Sequence, residues 1–247
     1  MKKGLIIIGS ILFVIGLIYL LYPRKIAVLT YHDFTTGEPT NSMQKNLKEF
    51  EKEMKYLKRH HYKTLKLKDV ECYMNHQCKL PRKSVLITMD DGWKSEYELA
   101  LPVLKKYNLK ATIFYIGRNY NGDYDNFINK EDIEVIKKDY KNIEIASHTF
   151  DNHYEDGYLK TKEEITEDLR KMPEEINQTA FAYPYGKYNE TYIEALKEQG
   201  YKIAFTFGPD KEHRKFSQKD DPYKIPRYNF STNYPYYKFV LRMILPF

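Results

Sequence analysis

Five short polar clusters in this 247-residue chain have the makings of a hydrolytic centre. Asp90 and Asp91 stand side by side in Met89-Asp90-Asp91-Gly92-Trp93, directly after the run Val85-Leu86-Ile87-Thr88. Two adjacent carboxylates at a strand end are costly unless a cation or hydrogen bonds hold them. Gly92 permits a sharp turn, so both side chains can enter one cleft. A surface turn also favours Asp and Gly, and this cluster alone decides little. His148 and His153 lie five apart in Ser147-His148-Thr149-Phe150-Asp151-Asn152-His153. That spacing does not share a helix face, but it suits a strand end and the loop after it. Two His with a carboxylate from another strand end form a set that holds a catalytic divalent metal. Such a set leaves positions open for water and substrate. The remaining clusters are Tyr31-His32-Asp33, Tyr183-Pro184-Tyr185-Gly186 and Pro226-Arg227-Tyr228.

Positioning these groups requires alternating strands and helices, and the apolar periodicity supplies them. Strands are expected at 26–30, 85–89, 111–116, 143–147, 181–183, 202–207 and 224–227. Helices are expected at 47–60, 95–107, 130–139, 161–176, 190–199 and 236–244. Phe50, Met54 and Leu57 form one stripe, Thr161 with Glu164 reads as a capping box, and Gly200 ends a helix. Such alternation implies a parallel sheet, open or closed into a barrel, with chemistry at the carboxyl ends of the strands.

The N-terminus adds a second function. Lys2 and Lys3 precede an uncharged apolar run over 4–21, followed by Pro23, Arg24 and Lys25. The run is close to the minimum for a bilayer-spanning helix. No small-x-small cleavage site follows it, which argues for an uncleaved signal anchor over 1–25 and a catalytic domain over 26–247. The flanking charges favour a single-pass cell-membrane protein with its catalytic part extracytoplasmic. Cys72 and Cys78 either close a small disulfide loop or remain two thiols. The net charge of +6 is spread through Lys-rich helices. It forms no basic stripe with interleaved aromatics, so no nucleic-acid partner is expected. The 24 Tyr against a single Trp suit sugar rings, though most should simply pack.

Together the clusters resemble the polysaccharide deacetylases of carbohydrate esterase family 4, which share the NodB homology domain. The resemblance spans roughly residues 26–228. It is most specific at Ile87-Thr88-Met89-Asp90-Asp91-Gly92-Trp93 with Ala111-Thr112-Ile113-Phe114. It implies a distorted (β/α)7 barrel, with Asp90 as general base and Asp91, His148 and His153 as ligands of one divalent metal. Zn is expected, with Co, Ni, Fe or Mn as alternatives. The His-Thr-x-x-x-His spacing is one residue longer than the family's commonest form. It is similar to the branch that deacetylates poly-β-1,6-N-acetylglucosamine in biofilms. That branch also carries an N-terminal Tyr-His and a Tyr-Pro-Tyr-Gly motif. By this resemblance His32 is the general acid and Arg227 fixes the catalytic Asp. The Tyr185 N–H supplies an oxyanion donor, while Trp93, Tyr183, Pro184 and Tyr185 meet the substrate. The implied partners are a polysaccharide, the membrane and the machinery of exopolysaccharide synthesis. Two other readings stay open: a peptidoglycan or chitooligosaccharide deacetylase, and a sugar-binding module without catalysis. The last predicts loss of Asp90 or a ligand, and all are present.

Overall fold

The computed structural model describes residues 25–207, 214–230 and 234–245, together with Phe13. The N-terminal anchor expected over 1–25 lies almost wholly outside the described residues. Among those residues no helix is long and apolar enough to cross a membrane.

The elements follow one another as β1 (Ala27–Tyr31), β2 (Phe34–Thr35), β3 (Lys45–Asn46), α1 (Leu47–Arg59) and β4 (Lys63–Thr64). Next come α2 (Leu67–Met74), β5 (Ser84–Asp91), α3 (Leu101–Tyr107), β6 (Ala111–Tyr115), α4 (Lys130–Asp139) and β7 (Ile143–Ser147). The chain ends with α5 (Lys162–Arg170), β8 (Asn177–Ala182), α6 (Glu190–Glu198), β9 (Ile203–Phe205), β10 (Tyr228–Asn229) and α7 (Tyr236–Ile244). The main sheet is parallel throughout, in the order β10-β1-β5-β6-β7-β8-β9, with β4 also on β5. Phe205 in β9 also bridges in parallel to Ile225, three residues before β10. The segment 225–229 therefore touches both ends of the sheet order, and this parallel α/β arrangement is consistent with a (β/α)7 barrel.

Side-chain parity along the strands decides what faces inward. Leu29, Ile87, Ile113 and Ile145 pack outward against the stripe of α1 (Phe50, Met54, Leu57) and against Leu101 and Leu104 of α3. Val28, Leu86, Phe114, Ala146 and Ala182 fill the opposite face with Phe205 and Ile225. Continuing that alternation by twos, 28-30-32, 86-88-90 and 146-148 carry His32, Asp90 and His148 to the inner side. The register aligns Thr30 with Thr88, Asp90 with Phe114, Tyr115 with Ser147 and Ala182 with Phe205, so these strand ends meet at one mouth.

Some boundaries differ from expectation for local reasons. The 161–176 helix stops at Arg170, because Pro173 disfavours helix in the residue before it, and β8 starts at Asn177. Its capping box is present, with Thr161 Oγ1 accepting from the Glu164 N–H at 3.2 Å. The 95–107 helix opens with a π turn over Glu96–Ala100. Pro102 offers no N–H to the Glu98 carbonyl, and a widened turn accommodates its ring. The last strand, expected at 224–227, pairs instead at Ile225 and at Tyr228–Asn229, leaving Arg227 between them. The short pieces β2, β3, β4 and α2 had no expectation. Cys72, within α2, is bridged to Cys78 just after it, with a Cα separation of 5.6 Å.

Candidate active site

The turn after β5 sets the centre. Asp91 and Gly92 both have left-handed backbone, at φ 80° and 77°. A Cβ on residue 92 would lie 2.5 Å from the Tyr115 ring, so only glycine fits. Ile128 N–H donates to the Gly92 carbonyl at 2.8 Å, and Tyr115 Oη donates to the Ile128 carbonyl at 2.7 Å. The turn is thus braced from two sides, and it points Asp90 and Asp91 at different partners.

Asp90 meets Arg227. The guanidinium donates through Nη1 to Oδ1 at 2.7 Å and through Nη2 to Oδ2 at 2.8 Å. Arg227 is wholly buried, and its Nε donates to the Thr206 carbonyl at 2.9 Å. This fork leaves the carboxylate no rotational freedom. Burial alone would raise the Asp90 pKa, but Arg227, His148 and His32 hold it below the usual carboxylate range. His32 lies across from it, with Nε2 3.9 Å from Asp90 Oδ2. Burial lowers the His32 pKa against the opposing pull of Asp90 and Asp91. Its ring leans edge-on to Phe207 at 5.4 Å.

Asp91 meets the histidines. Its Oδ1 is 3.5 Å from His148 Nε2 and 3.2 Å from His153 Nε2, and the three donor atoms lie within 4.8 Å of one another. Ligands about 2.1 Å from one tetrahedral ion stand about 3.4 Å apart, so the spacing fits a single metal. His148 Nδ1 lies 2.7 Å from the Ala182 carbonyl. Donation of its proton there frees Nε2 as a lone-pair donor. Trp93 Nε1 donates to Asp91 Oδ2 at 3.0 Å, holding the carboxylate so that Oδ1 faces the histidines. Burial would raise the Asp91 pKa, but the adjacent His148 and His153 rings keep it well below its usual value.

Two acids near this centre were not singled out from the sequence. Asp168 on α5 holds the loop between the two histidines. Its Oδ1 accepts the N–H of Asp151 at 2.8 Å and of Asn152 at 2.9 Å. Its Oδ2 accepts the Phe150 N–H at 2.9 Å and the Thr149 hydroxyl. Thr149, a β-branched residue at φ 75°, is held in a conformation it rarely adopts. Nothing local in the sequence marks Asp168, because its partners lie 16 to 19 residues away. Glu96, in the π turn, is wholly buried. Burial, then Asp91 and Asp90, push its pKa well up.

Of the residues expected to meet substrate, Tyr185 is half exposed, with its ring 5.1 Å from that of His153. Trp93 is partly exposed and rests on Phe127 at 4.4 Å. Tyr183 corrects the expectation. It is wholly buried, stacks on Tyr188 at 5.1 Å and donates to the Tyr223 carbonyl at 3.1 Å, so it packs the core. Pro184 is buried as well and shapes the one-turn helix Pro184–Gly186. The Tyr185 N–H lies in that first turn, where helical amides lack an internal acceptor.

A family model described as polysaccharide deacetylase matches residues 77–204, about half of the chain. Bacillus subtilis YxkH, named for the same family, is 35% identical over 192 residues, covering 76% of this chain and 66% of its own length. The poly-β-1,6-N-acetyl-D-glucosamine N-deacetylase of Staphylococcus aureus is 31% identical over 210 residues, covering 78% of this chain and 70% of its own. The fold matches the Streptococcus pyogenes deacetylase PplD with a TM-score of 0.79 at 21% identity, over 91% of this chain and all of that one. The chain therefore belongs to the polysaccharide deacetylase family, hydrolases that act on N-acetyl amide bonds.

Proposed function

We propose that the chain hydrolyses N-acetyl groups of poly-β-1,6-N-acetylglucosamine in a metal-dependent reaction outside the cell membrane, tethered by its N-terminal apolar run. The observation that carries this reading is the meeting of Asp91, His148 and His153 beside the Arg227-clamped Asp90. The name of the Staphylococcus aureus relative supports the polymer. The Cys72–Cys78 bridge supports an oxidising compartment.

A divalent ion such as Zn, when bound by Asp91, His148 and His153, polarises an acyl oxygen and eases deprotonation of water. The chain's own residues supply the rest. Asp90, kept ionised by Arg227, takes the proton of the attacking water as the new C–O bond forms. The Tyr185 N–H offers a hydrogen bond to the developing oxyanion. His32 carries the proton delivered to the leaving nitrogen as the C–N bond breaks. Burial weakens its hold on that proton, which suits an acid. The products are acetate and a glucosamine amine that adds positive charge to the polymer. In this reading Tyr185, beside the His153 ring, and Trp93, hydrogen-bonded to Asp91, line the sugar path.

The test is acetate release from β-1,6-linked and chitin oligomers, with and without chelator, beside Asp90→Asn and His32→Ala. Chelator-sensitive release from the β-1,6 oligomers, lost in Asp90→Asn, is expected. Release from chitin oligomers alone would keep the mechanism and overturn the polymer, and activity surviving Asp90→Asn would remove the assigned base.

A further inference from the structure

Helix α7 carries an apolar row at its surface. Tyr237, Leu241 and Ile244, spaced four and three apart, are 60%, 47% and 64% exposed, while Phe239 and Met243 face the core. That spacing puts the three on one face. Beside the row, α1 and α7 frame a cleft walled by Lys52, Lys55, Arg59 and His60 around Tyr56 and Tyr236. Lys52 sits 4.2 Å above the Tyr236 ring and 3.7 Å from Glu49. An exposed apolar row next to clustered cations is the surface pattern of a segment that lies on an anionic bilayer.

The place of this surface in the fold fits that occupant. Met243 at the end of α7 accepts hydrogen bonds from Tyr62 Oη at 2.9 Å and Lys215 Nζ at 3.0 Å. The next residue, Phe216, pairs antiparallel with Ile26 at 2.8 and 2.9 Å. The end of α7 thus lies beside the point where residues 1–24, with their apolar run, join the domain. That point is the amino end of β1, whereas Asp90 and His148 stand at the carboxyl ends of β5 and β7. We propose that the α7 row and the cationic cleft dock on an anionic lipid surface and turn the catalytic mouth away from the bilayer. A second copy of the chain could cover the row, but it would give the neighbouring cations no role. The docking rests on the tethered reading only for its setting in the cell, and its test separates the two.

The full chain carrying Leu241→Cys, labelled with an environment-sensitive fluorophore, is mixed with vesicles of phosphatidylcholine alone or with added phosphatidylglycerol. The native cysteines are bridged and do not compete for label. The Leu241 probe should shift blue and be quenched by spin-labelled lipid in the anionic vesicles. A probe at Leu159, 65% exposed in the loop beyond His153, should stay unchanged. Replacing Lys55 and Arg59 by Gln should lower the docked-to-undocked ratio about 30-fold, each cation contributing about fivefold. Flotation with both vesicle types and an unchanged Leu241 probe overturns the docking and keeps the tether. Flotation with anionic vesicles only, with the probe shifted, upholds the docking and removes the tether. A shift that grows with protein concentration without vesicles assigns the row to a second copy and overturns the lipid surface, and no flotation at all overturns both.

Discussion

Replacing Asp168 by Asn should loosen the metal site without touching a ligand. The Asp168 carboxylate accepts three backbone N–H groups, from Phe150, Asp151 and Asn152, and the Thr149 hydroxyl. Asn keeps one acceptor oxygen in nearly the same volume and turns an NH2 toward donors. With its oxygen on Asp151 and Asn152, the Phe150 N–H and the Thr149 hydroxyl lose their acceptor. Each orphaned donor costs about 1–1.5 kcal/mol in a partly buried site, so the loop loses roughly 2–3 kcal/mol. Thr149, held at φ 75°, gains a reason to relax toward ordinary backbone. His148 and His153 flank this loop, and part of the loss must appear in how they present Nε2. At 1.4 kcal/mol per tenfold, full transfer would weaken metal binding about 100-fold, and half transfer about tenfold. The assay is zinc affinity by competition with a chromogenic chelator, run beside thermal unfolding of the metal-free protein. Asp168→Glu serves as a partial rescue, since it restores both oxygens on a longer arm. An Asn variant that binds zinc as tightly as the parent would refute the argument, because it would show the histidines to be held without the loop.

Other consequences follow from the same geometry. Arg227→Lys replaces a two-pronged contact by a single ammonium and leaves Asp90 free to rotate in a buried site. A loss of at least 100-fold in kcat is expected, with a fall in unfolding temperature, since breaking a buried pair costs about 3–5 kcal/mol. Gly92→Ala should abolish both activity and soluble expression, because the new methyl meets the Tyr115 ring at 2.5 Å on a left-handed residue. Tyr183→Phe should lower the unfolding free energy by about 1 kcal/mol while KM for oligomers stays unchanged, since the hydroxyl serves Tyr223 and not a sugar. The fourth concerns pH. Glu53 is wholly buried with Lys45 Nζ at 2.6 Å and Tyr31 Oη at 2.8 Å, and burial still pushes its carboxyl up from 4.5 to about 7. A raised folded pKa means that its contribution is fully present below about 4.5 and lost as pH rises to about 7. The loss is about 3 kcal/mol across that window, and denaturant melts of Glu53→Gln should lack this slope. A variant with the same slope as the parent would remove Glu53 as its source.

What this chain's sequence determines by itself is local. The α1 stripe, the Thr161 capping box and the buried run before Asp90 are readable because helix and strand periods are set by nearest neighbours. The chemistry-bearing types are readable for the same reason. Two His, two Asp, an Arg and an early His at strand ends set the expectation of a metal-assisted hydrolysis before any contact is known. Only the tertiary structure decides which carboxylate serves which partner. Asp90 and Asp91 are neighbours in sequence, yet the left-handed turn sends one to Arg227, 137 residues away, and the other to the histidines. Tyr183 and Tyr185 look alike in their motif, but Tyr183 carries the extended backbone of β8 into the core, whereas the left-handed backbone at Tyr185 turns its ring outward. Asp168 becomes legible only when α5 packs beneath the histidine loop, because a hydrogen-bond acceptor carries no mark in sequence until its donors arrive.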